Sequence, residues 1–391
     1  MTNKFDVIII GGGIMGCATA LQLARRGLQV VLLDKDVIGN SPSGKSSAII
    51  RQHYSNETTA RMALYSLRIF QNFDAEIGGE CGFTTTGFVA VAPKADRAGL
   101  EANVALQQSL GIKTEIISTE RLDELMPGLD RADLVAAAYE AESGYADPYL
   151  TVTSYAAAAK RAGVVILGET AVTKIRFAGK KVVGVDTASG SYDAPVVVNC
   201  AGAWGAQVAK MAGVDVPIDS CRVQVSFFKR PPGYEKPHPV FADFINATYF
   251  RSETGNLTLV GLIDPSEAEA IVDPDNFAQG VDDDFVMETG ERLVRRYPSM
   301  DAAGFTGGYA SLYAITPDWH PIIDELPVGS GFYVCSGFSG HGFKLGPAVG
   351  VMLADLITDE KTVPFDTQLF RFARFAESDP VRGQYEYSII G

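Results

Sequence analysis

The chain has 391 residues, enough for a large buried core and for two domains. Hydrophobic residues make up 47% and charged residues 20%, the balance of a soluble globular protein. A formal charge of −14 argues against non-specific binding to nucleic acid or to an anionic membrane surface, and makes isolated cations near a pocket informative.

In chain order, Phe5 to Ile10 is a continuous apolar, β-branched run, typical of a strand buried on both faces of a parallel sheet. Three glycines follow, then a helical pattern (Met15, Ala18, Leu21, Leu23, Ala24) ending near Arg26, with Gly27 as its cap. Gln29 to Leu33 forms a second strand closed by Asp34, which completes a βαβ opening. The apolar stretch from Val7 to Ala24 has the length of a signal or membrane segment, but glycines interrupt it where a membrane helix would be continuous. No membrane span is expected.

Asn40 to Ser47 reads as a loop, Asn56 to Ile77 as a helix and Phe83 to Ala92 as a strand, with helical stretches at 95–110 and 119–125. The chain turns at Tyr145 to Pro148 into an Ala-rich helix that reaches Ala162. Strands are expected at Val164 to Leu167, Val172 to Phe177, Val182 to Thr187 and Val196 to Cys200, and several more across 222–262. A helix over Asp283 to Arg296, a strand over Phe332 to Cys335 and a helix over Phe343 to Ile357 follow. This order implies a discontinuous α/β domain (1–85, 145–215 and 305–391) carrying an inserted β-rich domain (86–144 and 216–304). Five spaced cysteines without a C-x-x-C pair suit reduced thiols in a cytoplasmic protein, and the four scattered histidines offer no metal site.

The opening carries chemistry. Gly11-Gly12-Gly13-Ile14-Met15-Gly16 contains G-x-G-x-x-G after a strand and before a helix. Gly11 permits the tight turn, Gly13 lets a pyrophosphate approach the backbone, and Gly16 allows close helix–strand packing. The helix N-terminus supplies amide donors. Asp34 is placed to accept from ribose hydroxyls, with Lys35 beside it. A glycine turn can occur without a ligand, but strand, helix and acid together point to dinucleotide binding. The motif does not separate FAD from NAD.

Three later segments do. Val196 to Trp204 (VVVNCAGAW) resembles the strand and Ala-Gly-Ala-Trp turn of the D-amino-acid oxidase superfamily of FAD enzymes. Thr316 to Ile323 (TPDWHPII) resembles that group's Thr-Pro-Asp-x-x-Pro segment. Gly337 to Lys344 (GFSGHGFK) is similar to the C-terminal flavin loop of the sarcosine oxidases. The resemblance runs from Phe5 to about Ile357 and is weakest between about 95 and 140, where nothing informs on substrate. It implies a Rossmann-like FAD-binding domain with an inserted substrate domain.

The flavin loop also has a physical reading. Small residues from Ser336 to Gly342 let amides approach a planar ligand, and the helix starting near Phe343 would stabilise negative charge on reduced flavin. Its cofactor contacts are expected from Gly340, His341, Gly342, Phe343 and Lys344. Ser46 and Ser47 are candidates for pyrophosphate or ring contacts, and Val172 matches a position whose backbone meets adenine. Ala201, Gly202 and Trp204 come with the second motif, although Trp204 suits a core equally well.

Lys344 opposes the macrodipole in the first turn of its helix, which an anionic substrate would offset. The resemblance gives it and Arg51 the substrate carboxylate, through a point charge and a planar fork; the alternative is pairing with acidic residues. His53 and His341 are acid–base candidates on chemistry alone, yet a lone histidine is more often structural, and His341 is expected at the flavin without titrating. Tyr249 and Arg251 are further pocket candidates. Two departures matter. The cysteine that attaches flavin covalently in monomeric sarcosine oxidase matches Ser311, so FAD is expected to be non-covalent. The lysine that activates oxygen there has no counterpart between Lys236 and Lys344, which leaves the acceptor as oxygen or a redox partner.

The expected function is oxidation of a small amino acid, preferably an N-alkyl one such as sarcosine, by hydride transfer to flavin N5 and hydrolysis of the resulting imine. Alternatives are a glycine or D-amino-acid oxidase, the flavin subunit of a multi-component amine dehydrogenase with a partner subunit, and a glycerol-3-phosphate dehydrogenase, whose phosphate would need more cations. A different class is an NAD-binding dehydrogenase or a non-catalytic nucleotide sensor.

Overall fold

A computed structural model of the chain describes residues 4–40, 42–264 and 269–382. Val7–Ile10 and Val30–Leu33 pair in parallel on either side of the connecting helix Ile14–Arg25. They lie within a six-stranded sheet of order Ile322–Glu325, Phe332–Ser336, Val196–Asn199, Val7–Ile10, Val30–Leu33, Val165–Leu167. All neighbours are parallel except the edge strand Ile322–Glu325. The apolar runs are continuous because both faces are covered and side chains alternate between them. Val7, Ile9, Val30 and Leu32 enter one core with the helices Ile14–Arg25, Glu57–Gln71, Pro148–Arg161 and Gly342–Thr358. Ile8, Ile10, Val31 and Leu33 enter another, under a three-stranded sheet (Val172–Ala178, Lys181–Thr187, Gly190–Asp193) and the helix Gly205–Met211.

The second lobe is an eight-stranded sheet of order Gly304–Ile315, Asp219–Lys229, Leu257–Leu262, Thr248–Glu253, Val240–Asp243, Phe88–Val91, Ala137–Glu140, Thr114–Ile117. Its strands are antiparallel except Val240–Asp243 beside Phe88–Val91. Helix Asp283–Arg296 sets Leu293 into a core with Phe228, Phe241, Phe250 and Val260. Gly304–Ile315 is a strand that alternation does not reveal, because Gly304, Gly307 and Gly308 leave gaps in its pattern. It pairs with Asp219–Lys229 along its length, so the large sheet extends to Ile315 rather than ending before 305.

A three-stranded sheet of Ile49–Ile50, Gly144–Tyr145 and Thr84–Thr85 lies where the chain passes between the lobes, and Arg51 follows it directly. No helix among the described residues is long and apolar enough to cross a membrane.

The helices Ile14–Arg25 and Gly342–Thr358 pack with almost no space between them. A Cβ on Gly350 would stand 2.8 Å from the carbonyl carbon of Ala18, and one on Gly346 would stand 2.4 Å from Ile14 Cγ1. Gly350→Val is therefore expected to cost about 1–3 kcal/mol by overpacking. Thermal unfolding should show a lowered midpoint; an unchanged midpoint would mean that the helices part without strain.

Candidate active site

Gly11 ends the first strand at φ +107°, and a Cβ there would stand 2.5 Å from the Cys200 carbonyl oxygen. Only glycine lets the two strand ends lie side by side. A Cβ on Gly16 would stand 1.9 Å from the Gly11 carbonyl oxygen, so this glycine sets how closely the helix meets the strand. That helix starts at Gly13 without a side-chain cap, and its first amide, from Ile14, donates to Ser43 Oγ at 3.2 Å. Asp34 Oδ2 accepts from the Gly12 amide at 2.5 Å and Oδ1 from the Asp36 amide at 2.8 Å. Burial raises the Asp34 pKa against the pull of those two amides.

Gly11, Gly13, Asp34 and Lys35 line one cleft with about 1210 Å³ of open space. Val172, Ala201, Gly202 and Trp204 form its other side. Lys35 Nζ pairs with Asp275 and lies 3.9 Å from the Trp204 ring centre, while Trp204 Nε1 donates to Asp275 Oδ1 at 2.8 Å. Trp204 is thus a wall residue rather than core, clasped by an aspartate that sequence spacing gives no reason to expect.

A second cleft shares Gly13, Cys200 and Gly202 with the first. Ile14, Met15, Ser46 and Ser47 line it on one side, and Ser311, Gly340, Gly342 and Phe343 on the other. Lys45 also lines it, with Nζ donating to Gln279 Oε1 at 3.1 Å, so a lysine reaches this cleft from a segment outside 236–344. The flavin-loop segment is pinned in place. The Ser339 amide donates to the Ala314 carbonyl at 2.8 Å, and the Thr316 amide to Ser339 Oγ at 3.2 Å. Asp318 of the Thr-Pro-Asp segment takes the fully buried Arg374 at 2.7 and 2.9 Å, which makes that motif a brace. The helix Gly342–Thr358 has no side-chain cap and no acid in its first turn. Two helix N-termini whose N-cap residues give no side-chain cap therefore open onto the same elongated space. Glycines where Cβ atoms would intrude, the first-turn amides of two helices, and an acid at one end fit a dinucleotide with an anionic centre.

A third, much tighter cavity adjoins the second through Ser46, Ser47, Tyr249 and Phe343. Arg51 and Lys344 lie on its wall, each 4% exposed. Phe88, Phe244, Leu262, Ile263 and Tyr313 make most of the remainder, and among the described residues no acidic one lines it. Arg51 Nη1 donates to the His53 carbonyl, and its guanidinium carbon lies 4.5 Å from the Tyr54 ring centre. Its Nη2 has no hydrogen-bond partner among the described residues. Lys344 makes no hydrogen bond or ion pair among them. Burial, then the charge of Arg51, hold the Lys344 pKa well below the usual lysine value.

The other candidates fall outside this wall. His341 lines none of the three cavities; its Nδ1 is 3.4 Å from Tyr54 Oη and its ring stacks on His320. Burial, with Lys344 and Arg51 nearby, keeps it neutral. His53 is 1% exposed, with Nε2 3.0 Å from Asn103 Nδ2, and burial then Arg51 push its pKa down to about 3. Arg251 is buried and supports the site, with Nε donating to the Ser47 carbonyl at 2.6 Å. The region between 95 and 140 does contribute: Asn103, Gln107 and Glu140 are buried around the Arg51–His53 segment. The signal for Glu140 is an acid closing the otherwise apolar run Ala136–Tyr139.

A family model described as FAD dependent oxidoreductase matches residues 6–356. The chain belongs to that family. This flavoenzyme is 28% identical over 369 residues to the mitochondrial sarcosine dehydrogenase of Homo sapiens, covering 91% of this chain and 40% of that protein. It thus spans about two fifths of that relative's length. Monomeric sarcosine oxidase of Bacillus sp. (strain B-0618) is 27% identical over 387 residues, covering 96% of this chain and 97% of that one. The crystal structure of L-proline dehydrogenase from P. horikoshii superposes with a TM-score of 0.89 at 26% identity, covering 97% and 100% of the two chains. The family resemblance of the motifs, the α/β fold with a further β-rich domain, and FAD as cofactor are borne out.

Asp34→Ala removes an acceptor from the cleft and releases the Gly12 amide. FAD affinity is expected to fall roughly 10- to 100-fold, the worth of a charged hydrogen bond. Dialysis followed by flavin fluorescence measures it, and wild-type retention would remove Asp34 from cofactor binding.

Proposed function

We propose that this flavoenzyme oxidises a small secondary amino acid, one with an N-alkyl amine such as sarcosine or with the nitrogen in a ring such as proline. The observation that carries this reading is the pair of buried basic side chains, Arg51 and Lys344, on a cavity with no acidic wall residue among the described ones. A carboxylate would fill the unbonded Nη2 of Arg51 and restore the charged form of Lys344. Phe88, Phe244, Leu262 and Ile263 give an apolar face for N-methyl or ring carbons. With no acidic wall residue among the described ones to hold an ammonium, the amine is taken to bind neutral. Relatives named for sarcosine and L-proline add support.

Bound FAD supplies the two-electron acceptor for the C–H next to the amine. Arg51 and Lys344 hold the carboxylate and thereby orient that C–H, and the aromatic wall keeps water away. Because the amine is already neutral, no side chain has to take its proton, in keeping with the enclosed, neutral His53 and His341. Water then hydrolyses the imine.

Under anaerobic conditions sarcosine or proline is expected to bleach the flavin bands, and readmitted air then distinguishes oxygen from a redox partner as acceptor. Flavin bands that never bleach with any secondary amino acid would remove this substrate class. In Lys344→Met, KM is expected to rise roughly 10- to 100-fold while flavin content stays near wild type. Lys344 binds a carboxylate only as the ammonium, so affinity should fall as pH rises through its lowered pKa, and the Met variant should lose that dependence. Loss of FAD from this variant would instead make Lys344 a cofactor residue. Ser311 has no thiol with which to form a thioether, so acid precipitation should leave all the flavin in the supernatant; a yellow pellet would mean attachment elsewhere.

A further inference from the structure

The second and third cavities meet at a junction, and a substrate held by its carboxylate in the third must present its C–H to the second across it. On the side of the large sheet, Tyr249, Leu262 and Tyr313 line both spaces. Tyr249 lies in the strand Thr248–Glu253 and Gly261 in Leu257–Leu262, where the two are direct cross-strand partners. Of the six partner pairs between these strands, this is the one in which a residue has no side chain. Backbone conformation does not require it, because the φ of Gly261 lies outside the left-handed region, and glycine weakens a strand interior. The ring requires it. A Cβ on Gly261 would stand 2.5 Å from both Cζ and Oη of Tyr249 and 2.6 Å from its Cε1. The tyrosine is therefore seated directly on the bare backbone of its partner. The obstructed atoms are the far end of a side chain that turns about two bonds, so an added methyl group would displace the ring and leave the strands paired.

We propose that Gly261 is a specificity-determining residue. By seating Tyr249 against the sheet it keeps the junction wide enough for an amino acid whose nitrogen lies in a ring, beyond the N-methyl of sarcosine. The proposal rests on the secondary-amino-acid reading and names, within it, the substituent that the site admits. Alanine at 261 lifts the ring off the sheet toward the junction. The displaced ring takes space that the ring carbons of proline would fill and that a methyl group needs less, so the change discriminates between the two substrates.

The test mixes the holoenzyme anaerobically with sarcosine or with proline and reads the rate of flavin bleaching for each. In Gly261→Ala the proline-to-sarcosine ratio of rates is expected to fall by about tenfold or more. The same substitution in a Tyr249→Ala background, where there is no ring to displace, should change the ratio by less than about twofold. An unchanged ratio in Gly261→Ala, or an equal fall in both backgrounds, overturns the proposal. If Gly261→Ala does not fold, Tyr249→Ala alone decides, since emptying the same space should shift the ratio toward proline, and an unchanged ratio overturns the proposal. Wild-type flavin that bleaches with sarcosine but not with proline also overturns it. Wild-type flavin that bleaches with neither is a different failure, that of the substrate reading itself, and the proposal falls with it.

Discussion

A guanidinium and a lysine amine held out of water, with no acid lining the same cavity among the described residues, is the condition around which the rest of the site is arranged. Removing such groups from water costs several kcal/mol each, in order of magnitude, unless other groups compensate. The protein supplies the compensation piecemeal. Tyr54 offers Arg51 its ring face, and the His53 carbonyl accepts a hydrogen bond from its Nη1. Lys344 receives less, because the start of its helix opposes its charge and Arg51 lies close by. In a chain with 47 acidic residues, none of the described ones lines this cavity.

The two cations arrive by different routes. Arg51 follows the small sheet between the lobes, while Lys344 belongs to a helix locked against Ile14–Arg25 through Gly346 and Gly350. One helix contact thus sets both ends of the chemistry, since the paired helices open on the nucleotide clefts and one of them carries Lys344. Arg251 adds a tie from the large sheet to the Ser46–Ser47 loop, which borders both the second and third cavities.

The cofactor half of the molecule was legible because phosphate binding is done by backbone, and backbone demands write themselves into sequence as glycines beside strand ends. Gly11, Gly16 and Asp34 could be read for that reason. The substrate wall could not. Phe88, Phe244, Leu262 and Tyr313 come from well-separated segments and look like any alternating core positions until the sheet brings them together. His341 sits in a motif that lines the cleft, yet its ring packs away on Tyr54 and His320, since a motif fixes the backbone path more firmly than each side chain. Lys45 shows the converse: a cation can reach the flavin-side cleft from an unexpected segment. Glycines hid the strand Gly304–Ile315, and with it the end of the large sheet.

The six-stranded sheet draws its strands from both ends of the chain, with Val7–Ile10 beside Val196–Asn199 and that strand beside Phe332–Ser336. The large sheet likewise cannot close its edge until Gly304–Ile315 has been made. On the ribosome, neither lobe can therefore finish before most of the polypeptide has emerged. The early βαβ segment must wait, with one sheet edge and one helix face uncovered, for a helix encoded some three hundred residues later. The nascent flavoenzyme is thus exposed to misassociation until Gly342–Thr358 has been made, and only then can the cofactor cleft be completed.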